Sequence, residues 1–548
     1  MHCWHVQIKA ERYINAADEL LVGIEKAHSL SEKADRSKTG RGSDALPGGM
    51  PANAIVILLD SLNRHMLGAY GGTEFATPNL DRFAKRAVRF DSHYAGSLPC
   101  IPARHDLMCG ALDFLWKPWG SIEIWEKSLT DHLRSDGKVA SQLISDHPHL
   151  FETGGENYHT HFNAWQYERG HEGDAWKTRP DPSWIGAPSF GRGHMPYDNS
   201  RGYFRDEADF PGPRTMAATA DWIDQNASYL DRFLLVVDEF DPHEPFDTPE
   251  PYASMYDPDW QGQHLIWPPY TVGGIQNGVI TEREGRQIRA CYGGKLTMID
   301  TWFGKVIDAI DRNGLWADTA VIVCTDHGHY LGDKDIWGKA GAPGYEPMTH
   351  IPLMIAWPDV APGSVSALTT TVDIFATLAE VFGVEPQHRV HGRSLTPLLN
   401  GTAPSIRDLV LTGWWGREVN IIVDGWKYTR SPAGANAPLS MWSNRWSTMP
   451  VPRLPKLALP RPDARAFLDH MPGSEVPVIR QPFSEGDMLP YWALGKLRGN
   501  HLFNLRDDPQ EEHDLAGSPM ERDLVGRLRK ALQEIEAPDD QFVRLGLV

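Results

Sequence analysis

Ala54-Ile55-Val56-Ile57-Leu58-Leu59, followed at once by Asp60, is the strongest structural signal in the chain. The run is too short for a buried helix and does not alternate with polar residues. It therefore reads as a strand at Ile55–Asp60 that is covered on both faces, the kind found in parallel sheets flanked by helices. Comparable apolar runs recur at Val139–Ile144, Phe233–Val237, Ala320–Thr325 and Leu353–Ala356. Helical patterns lie between them. Thr77-Pro78-Asn79-Leu80 opens one, with Thr77 as cap and Pro78 in the first turn. Another runs from about Glu284 to Arg312, with Leu296, Ile299, Phe303, Val306, Ile307 and Ile310 at helical spacing. The expected fold is α/β, a large mixed and mostly parallel β-sheet sandwiched by helices, with a smaller C-terminal α+β domain.

Three segments follow from this reading. Residues 1–49 form an N-terminal extension, with an amphipathic helix at Ala10–Lys33 and a linker at 37–43; Met50 just ahead of the first strand is a candidate alternative start. Residues 50–404 form the α/β domain. Residues 405–548 form the smaller subdomain, with short strands at Leu409–Thr412, Val419–Val423 and Trp426–Thr429. A loop-rich stretch at 431–497 follows, then a last helix carrying Leu524, Leu528, Leu532 and Ile535.

Composition narrows the function. A net charge of −19 over 548 residues argues against nucleic acid, which needs a basic face, and leaves an anionic substrate to be captured by local cations. The five cysteines show no CxxC spacing and no disulfide framework. No run approaches the ~20 apolar residues of a membrane span, and no signal pattern opens the chain, so the expectation is a soluble, cytoplasmic protein with no membrane partner.

The chemistry-bearing residues fall where strands end, which is where ligand sites form in open α/β sheets. Asp60 ends the first strand, poised to ligate a metal or to cap the next helix. Asp326 and His327 end another, in Val323-Cys324-Thr325-Asp326-His327-Gly328, and both residue types bind metals; Gly328 permits a sharp turn. Cys100-Ile101-Pro102-Ala103-Arg104 opens a helix after the polar turn Ala95-Gly96-Ser97. Further polar segments are Asp238-Glu239-Phe240-Asp241-Pro242-His243, Ile144-Ser145-Asp146-His147 and Trp337-Gly338-Lys339. The aromatic stretches Phe114–Trp119 and Trp414, Trp415, Trp442 and Trp446 read either as loop packing or as pocket walls that suit an apolar or aryl group.

Cys-x-Pro-x-Arg in this setting, together with Asp60, Asp326-His327-Gly328, Lys339 and His243, resembles the sulfatase branch of the alkaline phosphatase superfamily. The resemblance spans roughly residues 53–430 and resumes at His501–Glu512. It implies that a maturation enzyme converts Cys100 into formylglycine. It implies one divalent metal ion, calcium or alternatively manganese, held by Asp60, residue 100, Asp326 and His327. Arg104 then holds the nucleophile, and Lys339 and His243 face the sulfate, one of them protonating the leaving alcohol. The substrate is a small anionic ester, an aryl or alkyl sulfate; a homo-oligomer is an open possibility. Three departures from the family pattern stand out. Ser61 replaces a second aspartate. His147 remains where Gly-Lys-x-His is usual, but the lysine is lost. Ala103 replaces a serine. The first two also suit phosphonate monoester hydrolases and phosphodiesterases, which share the nucleophile motif. A non-catalytic binding protein of the same fold, and a hydrolase using the unmodified Cys100 thiol, are further readings.

Overall fold

A computed structural model describes residues 49–179, 195–339, 341–449 and 461–548. The extension assigned to residues 1–49, with its helix and linker, lies outside the described residues except for Gly49.

The strand Asn53–Leu59 lies inside an eight-stranded sheet. In order across it run Gly363–Thr370, Val88–Tyr94, Leu353–Ala356, Thr319–Cys324, Asn53–Leu59, Phe233–Glu239, Ala140–Ser145 and Ala164–Tyr167. Every neighbouring pair is parallel except those made by Leu353–Ala356, which is antiparallel to both of its neighbours. The five apolar runs of the sequence are thus five strands of one sheet, each within a residue or two of its expected bounds.

Alternate side chains of the first strand enter two cores, which is why its apolar run is unbroken. Ile55, Ile57 and Leu59 pack with Met216 and Ile223 of helix Pro211–Asn226 and with Leu296, Phe303 and Ile307 of helix Glu282–Arg312. Ala54, Val56 and Leu58 pack with Ile101 and Leu107 of helix Cys100–Cys109 and with Phe375 and Leu378 of helix Val372–Phe382. Each fully buried Ile, Leu or Val contributes roughly 1.5–3 kcal/mol. The long helix begins with a capping box between Thr281 and Glu284. The helix Pro78–Ala84 does not use its expected cap. The Thr77 side chain makes no capping bond, and the Asp300 carboxylate of the long helix accepts from the Asn79 and Leu80 amides at 2.9 and 2.7 Å. A carboxylate delivered by tertiary packing supplies what the local sequence did not.

A second sheet has five strands, His501–Asn504, Trp426–Arg430, Val419–Val423, Leu409–Trp414 and Ser97–Leu98. Helix Pro519–Glu534 covers it through Leu524, Leu528 and Leu532. Its last strand comes from far earlier in the chain. Gly413 and Trp414 pair in parallel with Ser97 and Leu98, the residues that lead into Cys100. The stretch read as loop-rich, 431–497, contains a three-stranded antiparallel sheet of Leu439–Ser443, Pro477–Phe483 and Phe467–His470. Its outer strand is exposed and its middle strand contains prolines, so it lacks the apolar signature of the main sheet. No helix among the described residues is long and apolar enough to cross a membrane.

Candidate active site

Parallel strands end on the same edge, and here that edge carries the polar residues. Leu58 is level with Asp238 on one neighbour and with Cys324 on the other; Ser145 is also level with Asp238. Asp60, Asp238, Asp326 and His147 therefore leave four adjacent strand ends within reach of one another.

Cys100 faces them from the first turn of a helix in which every residue is buried. The lead-in is pinned by Asp106, whose carboxylate accepts from the Ser97 amide at 2.5 Å and the Ser97 hydroxyl at 2.7 Å. One turn into the helix, the Arg104 guanidinium lies among three carboxylates. It donates to Asp238 through Nε and Nη2 at 2.7 Å each, to Asp326 through Nη1 at 2.7 Å and to Asp60 through Nη2 at 2.9 Å. Nη1 also reaches the Cys100 carbonyl at 3.1 Å. The family pattern puts Arg104 on the nucleophile; here its donors go to the carboxylates and to the nucleophile's own backbone.

Burial alone would raise the Asp60 carboxyl, but Arg104, Lys339 and His327 outweigh it and hold it well below the usual range. Ser61 is not turned outward as a ligand. Its hydroxyl donates to Asp60 Oδ1 at 2.7 Å and its amide to Asp326 Oδ1 at 3.1 Å, so it orients the two carboxylates. His147 is fully buried with its Nε2 3.5 Å from Asp60 Oδ2, and neither ring nitrogen has a hydrogen-bond partner. Burial, reinforced by Arg104, pushes its pKa well down, so the ring is neutral.

His327 Nδ1 lies 2.8 Å from the Gly328 carbonyl. A carbonyl only accepts, so Nδ1 carries the proton and Nε2 presents a lone pair, 3.2 Å from Cys100 Sγ. Gly328 serves close approach rather than a turn: a Cβ there would stand 1.9 Å from the Pro347 carbonyl oxygen. His243 is fixed in the same way, with Nδ1 2.7 Å from the Glu244 carbonyl and Nε2 2.6 Å from Lys339 Nζ. Lys339 follows the short strand Ile336–Gly338, and its ammonium also lies 3.3 Å from Cys100 Sγ. Burial opposes that charge, but Cys100, Asp60 and Glu244 hold its pKa above the usual value. Gly338, at φ 68°, lets the Tyr270 ring lie directly on the backbone before Lys339.

Ligand atoms of Asp60, Cys100, Asp326 and His327 all lie within 4.8 Å of one another. Two carboxylates and one imidazole lone pair fit a divalent cation, and the three buried carboxylates around Arg104 outnumber the cations Arg104 and Lys339 beside them. The thiol itself is not activated. Burial pushes Cys100 well up and pushes His327 down, so the shared proton stays on sulfur despite the short separation. This disfavours a thiolate nucleophile.

All eight residues singled out from the sequence meet at this point. The structure adds Asp238, which the apolar run ending at Val237 left as a flanking residue. It also adds Glu172, whose ligand atoms lie within 4.8 Å of those of His243 and Glu244. His149 Nε2 lies 3.1 Å from Glu172, and its Nδ1 contacts Glu152. Burial alone would lower the His149 imidazole, but these two carboxylates push it up to about 9. Because that lies above the ~6.5 of an unfolded histidine, the stabilisation is complete below pH 6.5 and is lost as pH rises through 9. The wild-type protein is therefore expected to melt above His149→Gln at pH 6, with the gap closing by pH 10; a pH-independent gap would refute a charged His149.

Of the tryptophan-rich stretches, Trp116 and Trp442 are core residues, whereas Trp414 lines a cavity that reaches Lys339.

The family model described as Sulfatase matches residues 52–384. The choline-sulfatase of Rhizobium meliloti (strain 1021) is 26% identical over 413 residues, covering 69% of this chain and 77% of that protein. The multifunctional alkaline phosphatase superfamily protein PehA of Trinickia caryophylli is 26% identical over 431 residues, covering 64% and 78%. Among solved structures, the phosphonate monoester hydrolase of Agrobacterium radiobacter superposes with a TM-score of 0.59 at 19% identity, covering 89% of this chain and 95% of that one.

Proposed function

The chain belongs to the sulfatase family, and from that premise we propose that it hydrolyses aryl or alkyl sulfate esters, using a formylglycine made from Cys100 and one divalent cation. The observation that carries this reading is the placing of Cys100 Sγ at 3.2 Å from His327 Nε2 and 3.3 Å from Lys339 Nζ, beside two carboxylates clamped by Arg104. The sulfur stands where an oxygen of the hydrated aldehyde would sit. That hydrate supplies two hydroxyls on one carbon, one to displace the alcohol from sulfur and one to release sulfate by re-forming the aldehyde.

Asp60, Asp326, His327 and residue 100 would hold the cation; calcium suits the oxygen ligands and manganese the added nitrogen. When bound, it lowers the pKa of a ligated hydroxyl and polarises the ester oxygen. The protein's own groups do the rest. Lys339 neutralises charge on the sulfate oxygens and, being protonated, gives a proton to the departing alkoxide. His243 orients that ammonium, because its Nε2 can only accept while Nδ1 donates to Glu244. His147, neutral and without a hydrogen-bond partner, has a ring N–H to offer a substrate oxygen.

The neutral Ser61 in place of an aspartate, and Ser145 in place of the lysine that usually stands two residues before His147, favour a second reading with the same nucleophile. A site with one cation fewer suits singly charged esters, including phosphonate monoesters and phosphodiesters. Two measurements test these readings. Mass spectrometry of the peptide bearing residue 100 should find the aldehyde or its hydrate; an intact thiol in active enzyme would overturn the nucleophile. Kinetics should favour an aryl sulfate over the matching phosphodiester and phosphonate, and the reverse order would install the second reading.

A further inference from the structure

Lys339 is reached through a cavity of about 220 Å³. Its walls include Tyr270, Trp414, Tyr491 and Trp492, and the Arg417 guanidinium borders it. The walls are held from three parts of the chain. Tyr270 lies on the Gly338 backbone and its hydroxyl bonds Glu244. Trp414 is paired in register with Leu98, two residues before Cys100. The Trp492 ring stacks at 6.4 Å on Trp119 and lies 6.5 Å from Tyr270. Flat aromatic surfaces beside the reacting centre suit a planar ring.

Such walls would equally suit a quaternary ammonium group, which binds aromatic faces. The charges decide between the two. The cavity carries two cations, Lys339 and Arg417, and no carboxylate among its lining residues. Arg417 is only 2% exposed; its Nη1 donates to the Leu494 carbonyl at 2.8 Å, and the carboxylate of Glu418 is no nearer than 3.4 Å. The guanidinium borders the cavity behind two glycines, with Nη2 3.4 Å from both the Lys496 carbonyl and the Glu418 carboxylate. A Cβ on either Gly341 or Gly495 would lie 3.3 Å from Nη1.

We propose that this cavity is the leaving-group subsite and that Arg417 selects a planar ring carrying a second negative group, such as a carboxylated phenol, over a cationic alcohol. This rests on the esterase reading above, with the cleaved ester oxygen at Lys339 and the acidic substituent at Arg417. A cationic alcohol would instead face two like charges in a confined space.

Calorimetric binding of the released alcohols separates the subsite from the chemistry. Hydroxybenzoate should bind the mature enzyme at least about tenfold more tightly than phenol, the scale of one charge-assisted hydrogen bond, and choline should bind more weakly than either. In Arg417→Met the hydroxybenzoate-to-phenol ratio should fall to near one. Because Arg417 also holds the loop at Leu494, Gly341→Ala is the second variant. It covers the guanidinium with a methyl group, leaves the Arg417 hydrogen bonds in place, and should also collapse the ratio. Choline binding as tightly as hydroxybenzoate, or a ratio that survives both variants, overturns the proposal. Selective binding without cleavage of the corresponding sulfate esters would leave the subsite standing and remove the esterase reading; cleavage without charge preference would do the opposite.

Discussion

Cys100→Ala is expected to lower kcat/KM for an aryl sulfate by at least about 10⁴-fold, since it removes the nucleophile rather than a supporting contact. The fold should persist, because one small buried atom is lost from a helix that the Asp106–Ser97 bonds and the surrounding core hold in place. Cys100→Ser is the more discriminating variant. A serine hydroxyl at this position can displace the alcohol once, but has no second hydroxyl on the same carbon with which to expel sulfate. It should therefore release one equivalent of phenol and stall as a sulfated protein visible by mass spectrometry. Steady turnover by Cys100→Ser would remove the need for an aldehyde and, with it, the proposed chemistry.

The second large effect is on stability. Arg104→Met leaves Asp60, Asp238 and Asp326 facing one another with their common cation gone. Breaking a buried ion pair by deleting one partner costs about 3–5 kcal/mol, and here a single guanidinium serves three carboxylates. The pH dependence identifies the cause. In the wild-type protein, Asp60 is held below its unfolded pKa, so its contribution is present above about pH 4 and fades as pH falls through the lower, folded value. In the variant, mutual repulsion raises the folded values, so the penalty is full at neutral pH and shrinks as acid neutralises the carboxylates. Urea melts should therefore show the largest gap between the two proteins near pH 7 and a smaller one near pH 4. A gap that is constant over that range would mean that lost packing, and not unpaired charge, governs this site.

What could be read from the sequence divides along physical lines. The strands of the main sheet were legible because two cores drive every side chain inward and leave no polar interruption, as in Ala54–Leu59. Asp60, Asp326, His327 and Cys100 were legible because they stand directly beside such strands or open a helix in a distinctive order. Asp238 was not, since a carboxylate inside a strand, level with Leu58, becomes meaningful only when Arg104 arrives from another element. The same holds for Asp300 capping Pro78–Ala84, for Glu172 beside His243, and for Trp492 beside Trp119. Each is a pairing across a long stretch of chain that no local pattern encodes. Ser61 shows the complementary limit. It stands where the family pattern has a second aspartate, but its φ of 61° and its bond to Asp60 give it an orienting task.

The pairing of Ser97–Leu98 with Gly413–Trp414 also bears on how the enzyme is made. In the finished protein Cys100 is 2% exposed, beyond the reach of another enzyme's active site. Any catalyst that remakes this side chain must meet the chain while it is still extended. The strand that seals the segment is synthesised some three hundred residues later, which at a ribosomal pace of about 5–20 residues per second leaves it open for roughly tens of seconds. If Cys100 is remade as proposed, the late arrival of residues 409–414 would act as a timer, keeping that side chain accessible during translation until the last quarter of the chain folds over it.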